Sequence, residues 1–291
     1  YKVVMRQGDS PVNGPHQGAW VDTVTGQDWF IHFQDVYAAG RITHLQPMSW
    51  ENDWPVIGVK KDGNDYGEPV MEYEKPDVGA VYEICEPDTT DEFTEDTLGL
   101  QWQWNANPDS DWAQSGIDES GNVSDDGSYI KLNAVGRASN RPIGDYRNLL
   151  LQKWPAPEFS VTTCLHLEQM KDGDVAGLVS LGGCYTALAV QKIHGKMSLQ
   201  QRTGNWTKDD EVRTGLGEWN SDVIYIQMKV EKENYRTFYV GTAEENLQPV
   251  GQMVEATPGR WVGVKDGLFA INEQGMEGGL VAADYFVYQE L

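Results

Sequence analysis

The nine residues from Val223 to Glu231 read VIYIQMKVE. Ile224, Ile226, Met228 and Val230 fall on one side of an extended chain, and Tyr225, Gln227, Lys229 and Glu231 on the other. A period of two with one apolar side predicts a half-buried antiparallel strand. From Asp91 to Leu291 no segment sustains a helical period. Strand-like runs recur there instead, at 129–132, 148–152, 159–167, 176–181, 185–192, 196–202, 235–240, 260–264, 268–272 and 283–288. Many short strands separated by turn residues predict a β-sandwich of jelly-roll type over residues 91–291.

The first part of the chain is built differently. Residues 13–58 hold three of the five histidines (His16, His32, His44) and four of the eleven tryptophans (Trp20, Trp29, Trp50, Trp54). Flat rings beside a few directed polar groups are what a carbohydrate site requires. Strands are predicted at 18–22, 29–34, 41–47 and 54–59, joined by turns at 25–28, 36–40 and 52–53. A strand at 2–6 precedes them and one at 68–73 follows. A four-stranded meander with two apolar faces needs partners on both sides, and the radially repeated sheets of a propeller supply them. Residues 75–90, KPDVGAVYEICEPDTT, read as an extended linker. The predicted organisation is therefore 1–74, a linker at 75–90, and 91–291.

Charge narrows the partners. The net charge of −23 and sequence pI near 4.4 would repel nucleic acid and disfavour an anionic membrane surface. No apolar run is long enough to cross a bilayer. Hydrophobic residues make up 40% of the chain, enough for a packed core. Cys85, Cys164 and Cys184 contain no CxxC pair, so no zinc template fits. One disulfide with a free thiol, and three free thiols, both remain open. No secretory signal precedes Tyr1 and no initiator Met is present. A chain opening on YKVVMR reads as a processed product or a fragment of something longer.

Three blocks, GPHQGAWVDT (14–23), WFIHFQD (29–35) and GRITHLQPMSWENDWPVIG (40–58), resemble glycoside hydrolase family 43, the β-xylosidases and α-L-arabinofuranosidases. They stand in the order and at about the spacing of the fifth blade of that family's five-bladed propeller. DEFTEDTLGLQWQW, GDVAGL (173–178) and ADYFVY (283–288) resemble the concanavalin A-like C-terminal sandwich of many members. The resemblance implies an all-β chain: the terminal part of a five-bladed β-propeller followed by a jelly-roll sandwich. It implies an inverting, exo-acting glycosidase for arabinoxylan-type chains, secreted or periplasmic, with plant cell-wall pentose oligosaccharides as partners. In the family the base Asp, the orienting Asp and the acid Glu lie on earlier blades. Inversion needs an acid and a base on opposite sides of the scissile bond. Asp22, Asp28, Asp35, Glu51 and Asp53 are available carboxylates, but Asp28 and Asp53 fall in expected turns and Asp22 closes a strand, and none is assigned as catalytic. The upstream blades are expected in cis or as a separate chain. The alternatives are a non-catalytic carbohydrate-binding or interaction fragment, and a sandwich that serves only to stabilise.

The resemblance also assigns roles. His16 is expected to face the propeller centre and help hold a Ca²⁺ through its ring and ordered waters, although Ca²⁺ prefers oxygen. The alternative is a loop histidine bonded to backbone. Arg41 is expected to contact the sugar and to lie near the carboxylates, where a guanidinium lowers a neighbouring acid's pKa. The alternative is a rim arginine. Gln17, His32 and Gln34 are candidates to line the same pocket, and His44 is read as structural. Trp29, Trp50 and Trp54 are read as packing between blades. Glu92 and Asp284 are expected on adjacent first and last sandwich strands, holding a structural Ca²⁺. Trp102, Trp104 and Trp112 belong to the core or lean toward the propeller.

Overall fold

In the computed structural model, Val223–Glu231 is a strand whose Ile224, Ile226, Met228 and Val230 are fully buried while the residues between them are partly exposed. The structure describes residues 1–14, 16–117, 129–136, 141–205 and 210–291, and the chain divides into two units, Tyr1–Glu86 and Pro87–Leu291.

The first unit is a four-stranded antiparallel meander of β1 (His16–Asp22), β2 (Asp28–Val36), β3 (Gly40–Glu51) and β4 (Trp54–Ile57), in that spatial order. A small pair, β5 (Val59–Lys60) and β6 (Gly67–Glu68), follows. One end of the meander is covered by its own chain. The backbone of Val4 accepts from Ile57 and Gly67, and the fully buried Gln46 exchanges two hydrogen bonds with the backbone of Val70 (2.7 and 3.2 Å). Trp29 packs edge-on against Tyr73 at 5.8 Å. Apolar groups on both faces remain exposed. Ala19, Ile31 and Leu45 are cross-strand neighbours on one face, and Trp20, Trp50 and Ile42 lie on the other. Trp20 and Trp50 meet edge-on at 5.3 Å yet remain 56% and 46% exposed.

Two expected strands of this unit do not form. Residues 2–6 make only the single bridge Met5↔Gly67. The run at 68–73 ends after Glu68, because Pro69 has no N–H to continue a ladder. The acidic segment after it carries no strand but is tied down at its start: Thr25 Oγ1 donates to the Asp77 carbonyl at 2.7 Å, and the Asp77 N–H donates to Gln27 Oε1 at 2.8 Å.

The second unit begins with β7 (Gln103–Trp104), β8 (Ala113–Ile117), β9 (Tyr129–Asn133), β10 (Val135–Gly136), β11 (Leu150–Lys153) and β12 (Phe159–His166). It continues with β13 (Asp174–Leu181), β14 (Cys184–Ile193), β15 (Lys196–Asn205), β16 (Val212–Trp219) and β17 (Val223–Glu231). Last come β18 (Tyr235–Gly241), β19 (Gln248–Glu255), β20 (Lys265–Asn272) and β21 (Leu280–Glu290). One sheet has the order β16-β15-β14-β13-β20-β11-β7, with β10 also on β20. The other has β19-β18-β17-β12-β21-β9-β8. Neighbours so distant in sequence are the signature of a jelly roll. The isolated bridge Asp91↔Phe286 sets the start of the unit against its last strand. There Trp102 is buried between Phe93 and Phe286 and donates Nε1–H to Asp91 at 2.7 Å, which makes it a core residue.

Arg236, completely buried on β18, joins the two sheets. Its guanidinium donates to the Ser180 carbonyl (3.0 Å) and hydroxyl (3.2 Å) on β13, and to the Glu255 carbonyl (2.9 Å) on β19. Asp266 on β20 is equally buried and accepts from Trp154 Nε1 at 2.9 Å. On the other side of the first sheet the segment from Ile143 to Leu151 covers a second apolar cluster of Tyr185, Val175, Val179 and Phe269. Buried Arg202 sits beside it, bonded to Glu273 at 2.7 Å, and Tyr185 donates to Glu211 at 2.6 Å.

The sandwich departs from expectation at 260–264. That run is not a strand, since Trp261 adopts φ = 63° and the strand begins at Lys265. Five strands, β7, β8, β10, β16 and β19, were not expected, the longest of them β16 and β19. Both are sheet edges, mostly exposed on both sides and carrying glycine, so neither shows the alternation that a half-buried strand imposes. All three cysteines are free thiols.

Burial raises the Asp266 carboxyl from its ordinary 3.8 to about 7, despite the Trp154 and Ser180 hydrogen bonds and the Arg236 charge that pull it back. A carboxyl with a raised folded pKa contributes most below its unfolded value, and that contribution is lost as pH climbs to about 7. The lost increment is on the order of 4 kcal/mol as an upper bound. Asp266→Asn keeps an acceptor for Trp154 and removes the titration. Urea unfolding should show its stability relative to the parent rising between pH 4 and pH 8; a pH-independent difference would contradict this.

Candidate active site

The end of the meander at the β2–β3 turn gathers the polar residues. β2 and β3 pair in continuous register across the turn, which sets Asp35 opposite Arg41, Gln34 opposite Ile42, Phe33 opposite Thr43 and His32 opposite His44. The strand period then puts Phe33, Asp35 and Arg41 on one face and His32, Gln34 and His44 on the other.

Arg41 is held from two sides. Its guanidinium carbon lies 4.3 Å from the centroid of Phe33, and its Nε is 3.4 Å from Asp35 Oδ1. Both charged side chains are partly exposed, so the pair orients the guanidinium more than it stabilises the fold. The sequence singles out Arg41 and gives Asp35 no role, so the holding pair is not visible in residue types alone. Counting the register back from the 36–40 turn would have found it.

On the opposite face His32 and His44 stack at 5.4 Å with an interplanar angle of 18°, and Phe30 stacks beyond His32 at 6.3 Å. His44 Nε2 meets Gln34 Oε1 at 3.1 Å, and Gln34 Nε2 donates to the Pro11 carbonyl at 3.3 Å. His32 Nδ1 faces the Phe33 carbonyl at 3.3 Å, while its buried Nε2 has no partner among the described residues. Burial lowers both imidazole pKa values, and the neighbouring His32 charge lowers His44 further.

Gln17 occupies a β-bulge. The register passes from His16↔Phe33 directly to Gly18↔His32, leaving Gln17 as the extra residue, exposed and at φ = 48°. Bulges re-aim a side chain next to functional sites, and a left-handed glutamine is a strained one. His16 opens β1 opposite Phe33 on the same strand end. Its side chain lies outside the described residues. Trp29 is buried, whereas Trp50 and Trp54 are nearly half exposed on the sheet.

In the second unit Asp284 is gathered with Cys164 and His166, their ligand atoms within 4.8 Å of one another. Glu92 is exposed and stands outside this group. The donor set around Asp284 thus differs from the expected pair of acids: a thiol and an imidazole accompany one carboxylate, a poor match for Ca²⁺. Two cavities, of about 290 Å³ near Lys61 and Glu68 and about 560 Å³ near Lys131 and Asn133, are lined by none of the expected site residues.

A family model described as the beta xylosidase C-terminal Concanavalin A-like domain matches residues 90–289. A protein of Xylanibacter ruminicola named "Putative beta-xylosidase" is 33% identical over 270 residues, covering 91% of this chain and 46% of the relative. A beta-xylosidase of Formosa agariphila is 28% identical over 294 residues, 94% of this chain and 47% of the relative. The chain spans about half the length of the curated relatives it matches. Among solved structures, a bifunctional GH43-CE protein of Bacteroides eggerthii is similar over 96% of this chain and 34% of that one, with TM-score 0.77 and 26% identity. The xylan beta-1,4-xylosidase of Bacillus halodurans C-125 shares the fold over 100% of this chain and 56% of that one, with TM-score 0.77 and 20% identity.

Burial disfavours the charged form of both stacked imidazoles. A folded pKa below the ordinary 6.5 makes their contribution complete above that value and lost as pH falls through the folded midpoint. Histidine NMR titration should place both midpoints below 6.5, and His32→Gln should move the His44 midpoint upward. An unmoved His44 would show that the two rings do not sense each other.

Proposed function

The chain belongs to glycoside hydrolase family 43, through the concanavalin A-like C-terminal domain of its β-xylosidases, and on that premise we propose that it is the C-terminal part of an inverting, exo-acting glycosidase. Its substrates are arabinoxylan-type chains or oligosaccharides, from which it removes a terminal xylose or arabinose. The acid and base belong to preceding propeller blades. The observation that carries this reading is the extent of the similarity to the Xylanibacter ruminicola relative. At 91% of the chain it includes much of the meander as well as the sandwich.

In this reading the chain supplies substrate positioning. Arg41, oriented by Phe33 and Asp35, presents a fixed positive fork to sugar hydroxyls and favours the ionised form of a carboxylate brought near it. Gln17, turned outward by its bulge, offers an amide to the same ligand. A Ca²⁺ at the propeller centre, held in part through His16, would add a fixed positive charge there. Inversion itself takes two carboxyl groups on opposite sides of the scissile bond with a water between. The apolar groups open on both faces of the meander are surfaces for neighbouring blades.

The competing reading is a non-catalytic carbohydrate-binding piece. Assays with nitrophenyl β-xyloside and nitrophenyl α-L-arabinofuranoside separate the two. This chain alone should release no nitrophenol, and the longer polypeptide carrying the preceding blades should release it. In that polypeptide Arg41→Ala should lower turnover roughly 10- to 100-fold, the worth of a hydrogen bond to a charged group, with unfolding unchanged. Turnover by this chain alone, or an unaltered rate in Arg41→Ala, would contradict the proposal.

A further inference from the structure

The group at Cys164, His166 and Asp284 lies in the sandwich, and the pentosidase reading makes no use of it. Cys164 and His166 are two apart on β12, so the strand period sends both side chains to the same face. That face is not the apolar core. Core-directed Val161, Thr163 and Leu165 alternate with them and are fully buried, and the residue paired with Cys164 on β17 is the half-buried Tyr225.

Asp284 reaches the pair through a break in the ladder. β12 and β21 are in register at Thr163↔Phe286 and again at Leu165↔Ala283. Between those points β21 places two residues, Asp284 and Tyr285, opposite the single Cys164. A bulge of this kind re-aims a side chain, and here the result is a carboxylate brought beside the thiol and the imidazole. Around the three stand further acids and a ring. Glu168 lies 3.8 Å from His166 Nδ1, Tyr285 donates to Glu244 at 3.3 Å, and Tyr129 packs edge-on to His166 at 5.3 Å.

We propose that Cys164, His166 and Asp284 form a binding site for a divalent transition-metal ion of the Zn²⁺ type. A buried structural cysteine ordinarily sits among apolar groups as a small hydrophobe; this one faces an imidazole and a carboxylate and hydrogen-bonds with the Tyr225 side chain. One sulfur, one nitrogen and one oxygen ligand, with a solvent position left open, make a tetrahedral set of the kind Zn²⁺ takes. The thiol excludes Ca²⁺ and Mg²⁺, which require oxygen ligands. Glu168 beside the imidazole is the type of outer carboxylate that fixes a ligating ring. The cysteine is buried and the other two ligands are partly exposed. The site is independent of the Arg41 edge, and its failure would leave the glycosidase reading untouched.

The test is Co²⁺ and Zn²⁺ binding to the full chain, followed by absorption and by competition. One equivalent of Co²⁺ should give a thiolate-to-metal charge-transfer band that Zn²⁺ displaces and Ca²⁺ does not. The band should disappear in Cys164→Ser and persist in Cys85→Ser, whose thiol is exposed. If Cys164→Ser fails to fold, His166→Gln and Asp284→Asn alter only partly exposed positions and read the same site; each should weaken Zn²⁺ at least roughly tenfold. Absence of the band, its loss in Cys85→Ser instead, or unchanged affinity in His166→Gln and Asp284→Asn would overturn the proposal.

Discussion

A sheet whose two faces both carry apolar side chains must be covered twice, and the first unit of this chain is such a sheet. Antiparallel sheets with one wet face alternate cleanly between apolar and polar residues. The meander β1–β4 does not: Ile31 and Leu45 stand on one face, Trp20 and Trp50 on the other, all of them open to solvent. Its own chain reaches one end through Val70 and Tyr73, against Gln46 and Trp29, and the other only through the Pro11 carbonyl at Gln34. Arg41, Gln17 and the histidine stack lie at the β2–β3 turn end. Two open apolar faces and a polar turn end are the two features of this unit. Both agree with the chain being the terminal part of a propeller followed by a sandwich.

The sandwich meets a different constraint. Its two sheets bury charge as well as hydrocarbon. Arg236 donates to main-chain carbonyls in both sheets, and Asp266 lies in the same interior. Burying a guanidinium is expensive unless its donors are satisfied, so the two sheets are favoured only in the register that aligns Ser180 with Glu255. Arg202, between Glu273 and Glu211, acts similarly at the β15–β16 edge, where Tyr185 closes the network.

How much of this was legible in the sequence follows from what each residue is next to. Strands with one buried face, such as Val223–Glu231, announced themselves by period. Edge strands β16 and β19 did not, because nothing forces alternation on a ribbon exposed on both sides. The run at 260–264 has apolar residues but bends at Trp261, a conformation that hydrophobicity does not encode. At the candidate site Arg41 was visible as a residue type and Asp35 was not visible as its holder, since that pairing exists only once the β2–β3 register is set. The Cys164–His166 spacing lay in plain view, but Asp284 joins it from a strand far along the chain, through a bulge that no local pattern signals.

Hydrogen exchange across β1–β4 tests the central claim most directly, because a sheet lacking its covering neighbours opens locally at low cost. In this chain alone, amides of β2 and β3 should exchange far faster than those of the sandwich strands β12, β13 and β17. They should become protected in a longer polypeptide that carries the preceding blades. Protection of β2 and β3 in this chain alone equal to that in the longer polypeptide would contradict the account, and would mean that the meander is a finished domain.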